Sequence, residues 1–462
     1  MRREHHALNA QEGVVTSGTS TGTSKQVRTW YGALTVRHVL VLWGSFLGWM
    51  FDGYEQYAIV IALPAALHTL LKPAQMNRSN LYFGIILCVT LLGWGFGGLA
   101  GGILADYIGR KRMMMISVLT YAVFSGFSAV SPNFATLATF RFITGLAIGS
   151  EWSTGVTLVA ETWPDEARAK GCGFLQSSIG AGMLVAVSIW YALSYFNPMN
   201  SQNWRILFLI GALPALLVLY LRRGLEESER WIVAVRDRHW EVIEGERSAS
   251  AKAGPRPFTL TAIWKVAESR RRLLLTSLLS LITVIGWWAV STLLPEFTNH
   301  LAKLKNAGDG WGNRAAMIYL VGAIIAYSVS GFIIDAIGRR RYLTLAYAGA
   351  FVMTPLTYLW SGNLTIFMFV VLVNGFFTQG CVYAWMAIYV GELFSSTVRS
   401  TACSFVFNGP RFVAALFPVG AGIMVEHFGG AARTAVILGS VYILGVIIPW
   451  FLPETVGETL PS

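Results

Sequence analysis

Of the 462 residues, 54% are hydrophobic and 13% charged, and the formal net charge is +11. An ordinary soluble domain carries roughly 25% charged residues, so this balance excludes a soluble enzyme or binding module and indicates an all-α membrane protein that crosses the bilayer many times. The basic excess calls for no nucleic-acid partner, because the positive-inside bias accounts for where the cations sit. Cys88, Cys172, Cys381 and Cys403 lie singly in apolar runs, which indicates neither a disulfide framework nor a metal site.

In chain order, residues 1–27 are rich in Gly, Ser and Thr, lack a signal-peptide-like apolar run, and are expected to form a disordered cytoplasmic tail. Apolar runs of the length needed to span a bilayer, about 20 residues, follow at 38–64, 81–105, 112–131, 134–160, 171–196, 204–222, 273–298, 314–335, 342–360, 364–391, 401–425 and 433–452. They predict twelve transmembrane helices. The charged segment 223–272 is the linker between an N-terminal bundle, 28–222, and a C-terminal bundle, 273–453, and residues 454–462 form a closing cytoplasmic tail. With the N-terminus inside, 26 of the 35 Lys and Arg residues fall in cytoplasmic segments and 7 outside. That asymmetry predicts a cytoplasmic (inner) membrane protein with both termini cytoplasmic.

One polar turn occurs twice. Gly102 to Arg112 (GILADYIGRKR) closes the second apolar run and opens the third, and Gly331 to Arg341 (GFIIDAIGRRR) does the same 229 residues later. Glu161 and Arg168 recur as Glu392 and Arg399, so one half of the chain repeats the other. Asp106 and Asp335 sit among the basic residues Arg110, Arg112 and Arg339, behind the turn glycines Gly109 and Gly338. This suits an intracellular latch between the halves, built from ion pairs and helix N-termini. Glu161, Arg168, Glu392 and Arg399 are expected to share that gating work.

Ionisable residues inside a bilayer cost roughly 2.5–3.5 kcal/mol each on insertion scales and are functional candidates by default. Asp52 and Glu55, near the middle of the first run, are three apart and so share one helix face and one cavity. Two neighbouring carboxylates disfavour simultaneous ionisation, which suits a proton carrier; otherwise the pair satisfies local polar groups where Gly53 loosens the helix. Glu151 in the fourth run is either a second proton site or a salt-bridge partner. Arg141 in the same run either contacts substrate or pairs with a carboxylate of the first helix. Arg411 lies deep in the eleventh run after Asn408-Gly409-Pro410, where the helix is expected to break and open the cavity. Guanidinium forks bind carboxylates in two-point fashion, so an anionic substrate is the economical reading. Asn408, Gln379 and Trp287 are expected to line the cavity beside Arg141 and Arg411, with Gln176, Trp288, Asn374 and Trp385 as further lining residues. Gly93 to Gly98 (GWGFGG) fits a dinucleotide fingerprint but follows no strand, so no such cofactor is expected. Gly97/Gly101, Gly98/Gly102 and Gly145/Gly149 read instead as small-residue helix-packing faces.

Twelve helices in two halves, joined by the loop Gly-x-x-x-Asp-x-x-Gly-Arg-Lys-Arg, resemble the major facilitator superfamily, with Tyr107 standing where that family usually has a basic residue. Trp49 to Glu55 (WMFDGYE) resembles the helix-one motif of organic-acid:proton symporters. Gly149 to Trp152, Glu161 to Arg168 and Leu225 to Trp231 look most like the sialate:proton symporter group, which includes lactate and pyruvate permeases. The resemblance implies a monomer that couples uptake of a small organic acid to protons by alternating access, with no cofactor other than the proton as coupling ion. The rival within transport is a neutral sugar or polyol carrier in which both arginines are structural. The alternative of another class is a transporter-like nutrient sensor, for which a long signalling domain would be the discriminating feature. No enzyme motif stands in a confirming context.

Overall fold

A bilayer leaves backbone N–H and C=O groups no water to bond, so so apolar a chain crosses it only as helices. The computed structural model describes residues 30–214, 216, 225–236, 257–308 and 310–461. The expected tail at 1–27 and residues 223, 224 and 237–256 of the linker lie outside the described residues. The first half comprises α1 (Val36–Leu70), α2 (Ser79–Ile108), α3 (Arg110–Ala129), α4 (Phe134–Thr162), α5 (Asp165–Phe196) and α6 (Asn203–Ile210). The linker contributes α7 (Glu229–Arg236) and α8 (Thr259–Lys265). The second half begins with α9 (Ala267–Leu304), α10 (Trp311–Ile337) and α11 (Arg339–Tyr358).

The last three spans are interrupted. The tenth runs as α12 (Leu364–Gly375), a π-helical turn at Phe376–Cys381, and α13 (Val382–Ile388). The eleventh is α14 (Arg399–Asn408), α15 (Arg411–Ala414) and α16 (Phe417–Phe428), broken at Pro410 because proline brings no N–H to the ladder. The twelfth is α17 (Ala431–Gly439) and α18 (Tyr442–Ile447). Among the described residues, seven helical stretches are long and apolar enough to cross a membrane.

Within the halves, α2 packs on α4 and α1 on α5, and α10 packs on α12 and α9 on α17. Between them, α2 meets α14 and α5 meets α10. Glycine stripes explain how α2 serves two partners. A Cβ at Gly97 or Gly101 would overlap Leu146 or Ser150 of α4, and one at Gly98 or Gly102 would overlap Asn408 or Ser404 of α14. One stripe therefore holds the bundle and the other holds the seam between bundles.

Candidate functional site

The first-half charges separate into two groups. Glu55 turns towards α3 and α4, where its carboxylate meets Arg141 Nη1 at 2.8 Å and accepts a hydrogen bond from Ser125 Oγ. Arg141 is then fully engaged: Nε donates to Ser128 Oγ at 3.0 Å, Nη2 donates to Thr144 Oγ1 at 3.2 Å, and the guanidinium lies 4.7 Å from the Phe208 ring centroid. Of the two roles open to Arg141, the structure shows the internal pair. Asp52 is wholly buried and is drawn elsewhere; the charged group acting on it most strongly is Glu151 of α4, ahead of Glu55 and Arg411. The two carboxyl groups thus have different nearest partners, while Glu55 remains one of the charges that act on Asp52. Positions three apart on a helix diverge by about 60°, and the Arg141 charge takes Glu55 with it.

Among the described residues, neither the Asp52 nor the Glu151 carboxyl has a hydrogen-bond partner other than the other carboxyl. A Cβ at Gly48 would overlap Glu151 Oε1, so the glycine of α1 makes room for the acid of α4. The close partner of Asp52 thus comes from another helix.

Arg411 lies across from this pair, at the break in the eleventh span. Pro410 unwinds the helix there, and Arg411 Nη1 donates to the Phe407 carbonyl. Its Cζ lies 4.3 Å from the Trp94 ring centroid and 4.0 Å from that of Phe407, and no carboxylate among the described residues pairs with it. Phe407 is stacked on Trp152 at 3.7 Å and 16°. Trp49 lies edge-on to Phe407 at 5.7 Å and to Trp94 at 6.2 Å. Trp49 and Trp94 are buried, and their indole N–H groups have no partner among the described residues.

The other expected lining residues divide. Gln379 is buried in the π-helical turn with Oε1 unpartnered. Trp287 lies edge-on to Tyr383 at 5.8 Å, with its Nε1 also unpartnered. Asn408, by contrast, works at the seam between halves, where Nδ2 donates to Gly149 O at 3.3 Å and Ser404 Oγ at 3.0 Å. Its short side chain cannot both fill the space above Gly98 and face the Arg411 side.

At the end expected to face the cytoplasm, the repeated loops hold the two halves together. Gly109 and Gly338 have φ of +101° and +93°, a left-handed conformation that glycine adopts without cost. Asp106 accepts from the backbone N–H of Thr401 at 2.9 Å and of Ser400 at 3.3 Å, capping α14 of the other half, and pairs with Arg110 at 3.1 Å. Glu161 meets both Arg399, at 2.7 Å, and Arg110, at 3.2 Å. Glu392 meets Arg339 at 2.7 Å and Arg168 at 3.4 Å. Asp335 pairs with Lys170 at 2.6 Å and Arg339 at 3.1 Å but stays 26% exposed. Arg112 is exposed and makes none of these contacts.

Two carboxylates here were not singled out from the sequence. Glu227 accepts from the N–H groups of Arg110 and Lys111, and Glu454 accepts from those of Arg339 and Arg340. They cap α3 and α11 in the same way, 227 positions apart. The signal was available, since each follows the last helix of its half, but acidic residues in a charged linker read as a solvated face. Among the described residues, no group of His, Cys, Asp and Glu converges to hold a metal.

Residues 40–462 match the family described as sugar (and other) transporters. A "Probable 4-methylmuconolactone transporter" of Cupriavidus pinatubonensis is 28% identical over 433 residues, 94% of each chain. The sialic acid transporter NanX of Escherichia coli is 32% identical over 203 residues, covering 44% of this chain and 47% of NanX. Among solved structures, the major facilitator superfamily proton:xylose symporter XylE, from E. coli, bound to 6-bromo-6-deoxy-D-glucose, aligns with a TM-score of 0.71 at 18% identity, over 92% of this chain and 98% of that one. That likeness is one of fold. The chain belongs to the family of sugar (and other) transporters and has the fold of the major facilitator structures, and it is a multi-pass membrane transporter and not an enzyme.

Proposed function

We propose that the protein is a secondary active transporter that carries a small organic anion across the cytoplasmic membrane together with protons, by alternating access of the two bundles, 28–222 and 273–453, and that both termini are cytoplasmic. The observation that carries this reading is the pairing of unlike sites near mid-membrane. On one side Arg411 is buried against ring faces and a carbonyl, with no carboxylate among the described residues at ion-pair distance although Asp52 and Tyr383 act on it, and on the other Asp52 and Glu151 are buried as neighbouring carboxyl groups. A buried guanidinium without a carboxylate is costly unless a ligand supplies one. Two adjacent carboxyl groups repel when both are ionised, and a proton on either relieves the repulsion.

In this scheme the substrate carboxylate binds Arg411, Gln379 and Trp287 complete the lining, and the Asp52–Glu151 pair takes the proton. Glu55 with Arg141 then serves as an internal ion pair within reach of that step. The charged lattice of Asp106, Arg110, Glu161, Arg168, Asp335, Arg339, Glu392 and Arg399 holds the cytoplasmic side shut until the loaded carrier reorients. The muconolactone and sialic acid carriers named above support an organic acid, and lactate or pyruvate are small members of that class.

The test is uptake into proteoliposomes of a labelled panel of organic acids, with and without an inward proton gradient. Accumulation only under the gradient, lost in Asp52→Asn with exchange retained, supports symport. Movement of a neutral sugar alone would give Arg411, like Arg141, a structural role.

A further inference from the structure

At the end that carries the repeated loops, α5 and α10 approach so closely that a Cβ at Gly331 would overlap the Ala169 carbonyl and the Lys170 Cα. That approach sets Lys170 of the first half against Phe332 and Asp335 of the second. Lys170 Nζ meets Asp335 Oδ2 at 2.6 Å, donates to the Glu166 carbonyl at 2.9 Å, and lies 5.7 Å from the Phe332 ring centroid. Trp30, ahead of α1, covers this group. Its ring is 5.9 Å from Lys170 Nζ and stands edge-on to Phe332 at 5.6 Å and 82°, so the ammonium faces two rings, one from each half. Leu34 N donates to Tyr31 O at 3.1 Å, closing the turn that leads into α1. With so short a lead, the Trp30 ring travels with the first bundle and Phe332 with the second.

The segment ahead of α9 does the same at the other seam. Tyr107 of α2 donates to Pro257 O at 3.0 Å, and the Thr259 hydroxyl lies 2.8 Å from that of Thr401 in α14. Thr259 stands 229 positions after Trp30, and Thr401 231 after Lys170, the offsets of the repeated loop and of the Glu161/Arg168 repeat. Each lead-in segment thus joins the fifth span of its own half to the second span of the other. The two differ in exposure. Thr259 and Thr401 are 1% and 3% exposed, whereas Trp30 is 36% and Phe332 44% exposed. Contacts open to water are released more readily than buried ones.

We infer that Trp30 is a releasable strap: carried by the segment ahead of α1, its ring clamps Lys170 and Phe332 together and holds the α5–α10 seam closed at this end. The strap rests on the alternating access proposed above and on no assumption about the substrate.

The experiment measures spin-label distances across the ends of α5 and α10 that carry the loops, in the full-length protein in proteoliposomes. Trp30→Ala is expected to raise the open fraction about threefold, the scale of an exposed cation–π and ring contact. Trp30→Phe, which keeps a ring, is expected to restore most of the closure, and Tyr195→Ala, an exposed ring at the far end of α5, to change nothing. In a Phe332→Ala background, Trp30→Ala is expected to add less than it does alone. No shift in Trp30→Ala, an equal shift in Tyr195→Ala, or an undiminished effect without Phe332 each overturns the strap and leaves the transport reading standing. An open population missing from every variant, Glu161→Gln included, overturns alternating access and the strap with it.

Discussion

Glu161 of α4 and Arg399 at the start of α14 meet at 2.7 Å, with both side chains wholly buried. Each has a repeat-related companion seven positions away, yet the partners are exchanged between halves, since Arg168 meets Glu392 at 3.4 Å. A pair that spans two bundles exists only while they are closed against each other at that end. The exchange therefore identifies the conformation described here as shut at the end that carries the repeated loops, and makes these four residues a measure of how firmly.

Glu161→Gln should loosen that closure. It leaves two guanidinium groups, Arg110 and Arg399, without their shared carboxylate in a buried site. Breaking a buried pair from one side costs about 3–5 kcal/mol, here charged to the closed state alone. Spin-label distances across the cytoplasmic ends of α2 and α14 should shift towards the open population. An unchanged distribution would show that the latch is held elsewhere.

The two intramembrane arginines should respond oppositely to the same change. Arg141→Gln abandons the buried Glu55 carboxylate, so the melting temperature should fall sharply, again by the equivalent of about 3–5 kcal/mol. Arg411→Gln removes a cation that has no carboxylate partner among the described residues, so the fold should hold while acid affinity drops. Loss of charged hydrogen bonds worth about 1.5–3 kcal/mol each predicts a loss of tenfold or more, read by melting curves beside binding titrations. Similar melting losses in both would mean that Arg411 also braces the fold.

Most of the architecture was legible in the chain, because bilayer length and the duplicated loop constrain it so tightly. The break at Pro410, the small-residue faces of α2 and the burial of Asp52, Glu55 and Glu151 all follow from local chemistry. What could not be read was which side chain meets which across helices. Asp52 and Glu55 share a face on paper, but Arg141 pulls one away and Glu151 approaches the other, and neither event is encoded within α1. Asn408 likewise reads as a cavity residue until Gly98 is seen to leave room for it at the seam. Glu227 and Glu454 were hidden for a different reason, since a capping carboxylate in a charged linker or a short tail looks like any other surface acid.

The repeated aspartates should prove unequal. Asp106 is buried and caps α14 through two backbone N–H groups, the Thr401 hydroxyl and Arg110. Asp335 is 26% exposed and makes two ion pairs instead, with Lys170 and Arg339. Partly exposed pairs are worth about 0–1 kcal/mol, whereas each hydrogen bond to a buried charge contributes about 1.5–3 kcal/mol. Asp106→Asn should therefore open the cytoplasmic side far more than Asp335→Asn, as read by the labelling rate of a cysteine placed behind the gate. Equal labelling would mean that the repeat preserves energetics as well as sequence.

Gly48→Ala isolates the carboxyl pair without removing any charge. The added methyl would overlap Glu151 Oε1, the mobile end of a side chain and not backbone, so the acid should swing aside while α1 and α4 stay packed. Displacing Glu151 alters its contact with Asp52, and the proposed proton step depends on that contact. Accumulation driven by an imposed pH gradient should fall about tenfold, a change of 1.4 kcal/mol in the coupled step, while exchange of internal for external substrate continues. The comparison separates coupling from carriage, because a variant that merely misfolded would lose both. If accumulation and exchange are both normal, the approach of Glu151 to Asp52 is incidental, and the proton must ride on Glu55 and Arg141 instead.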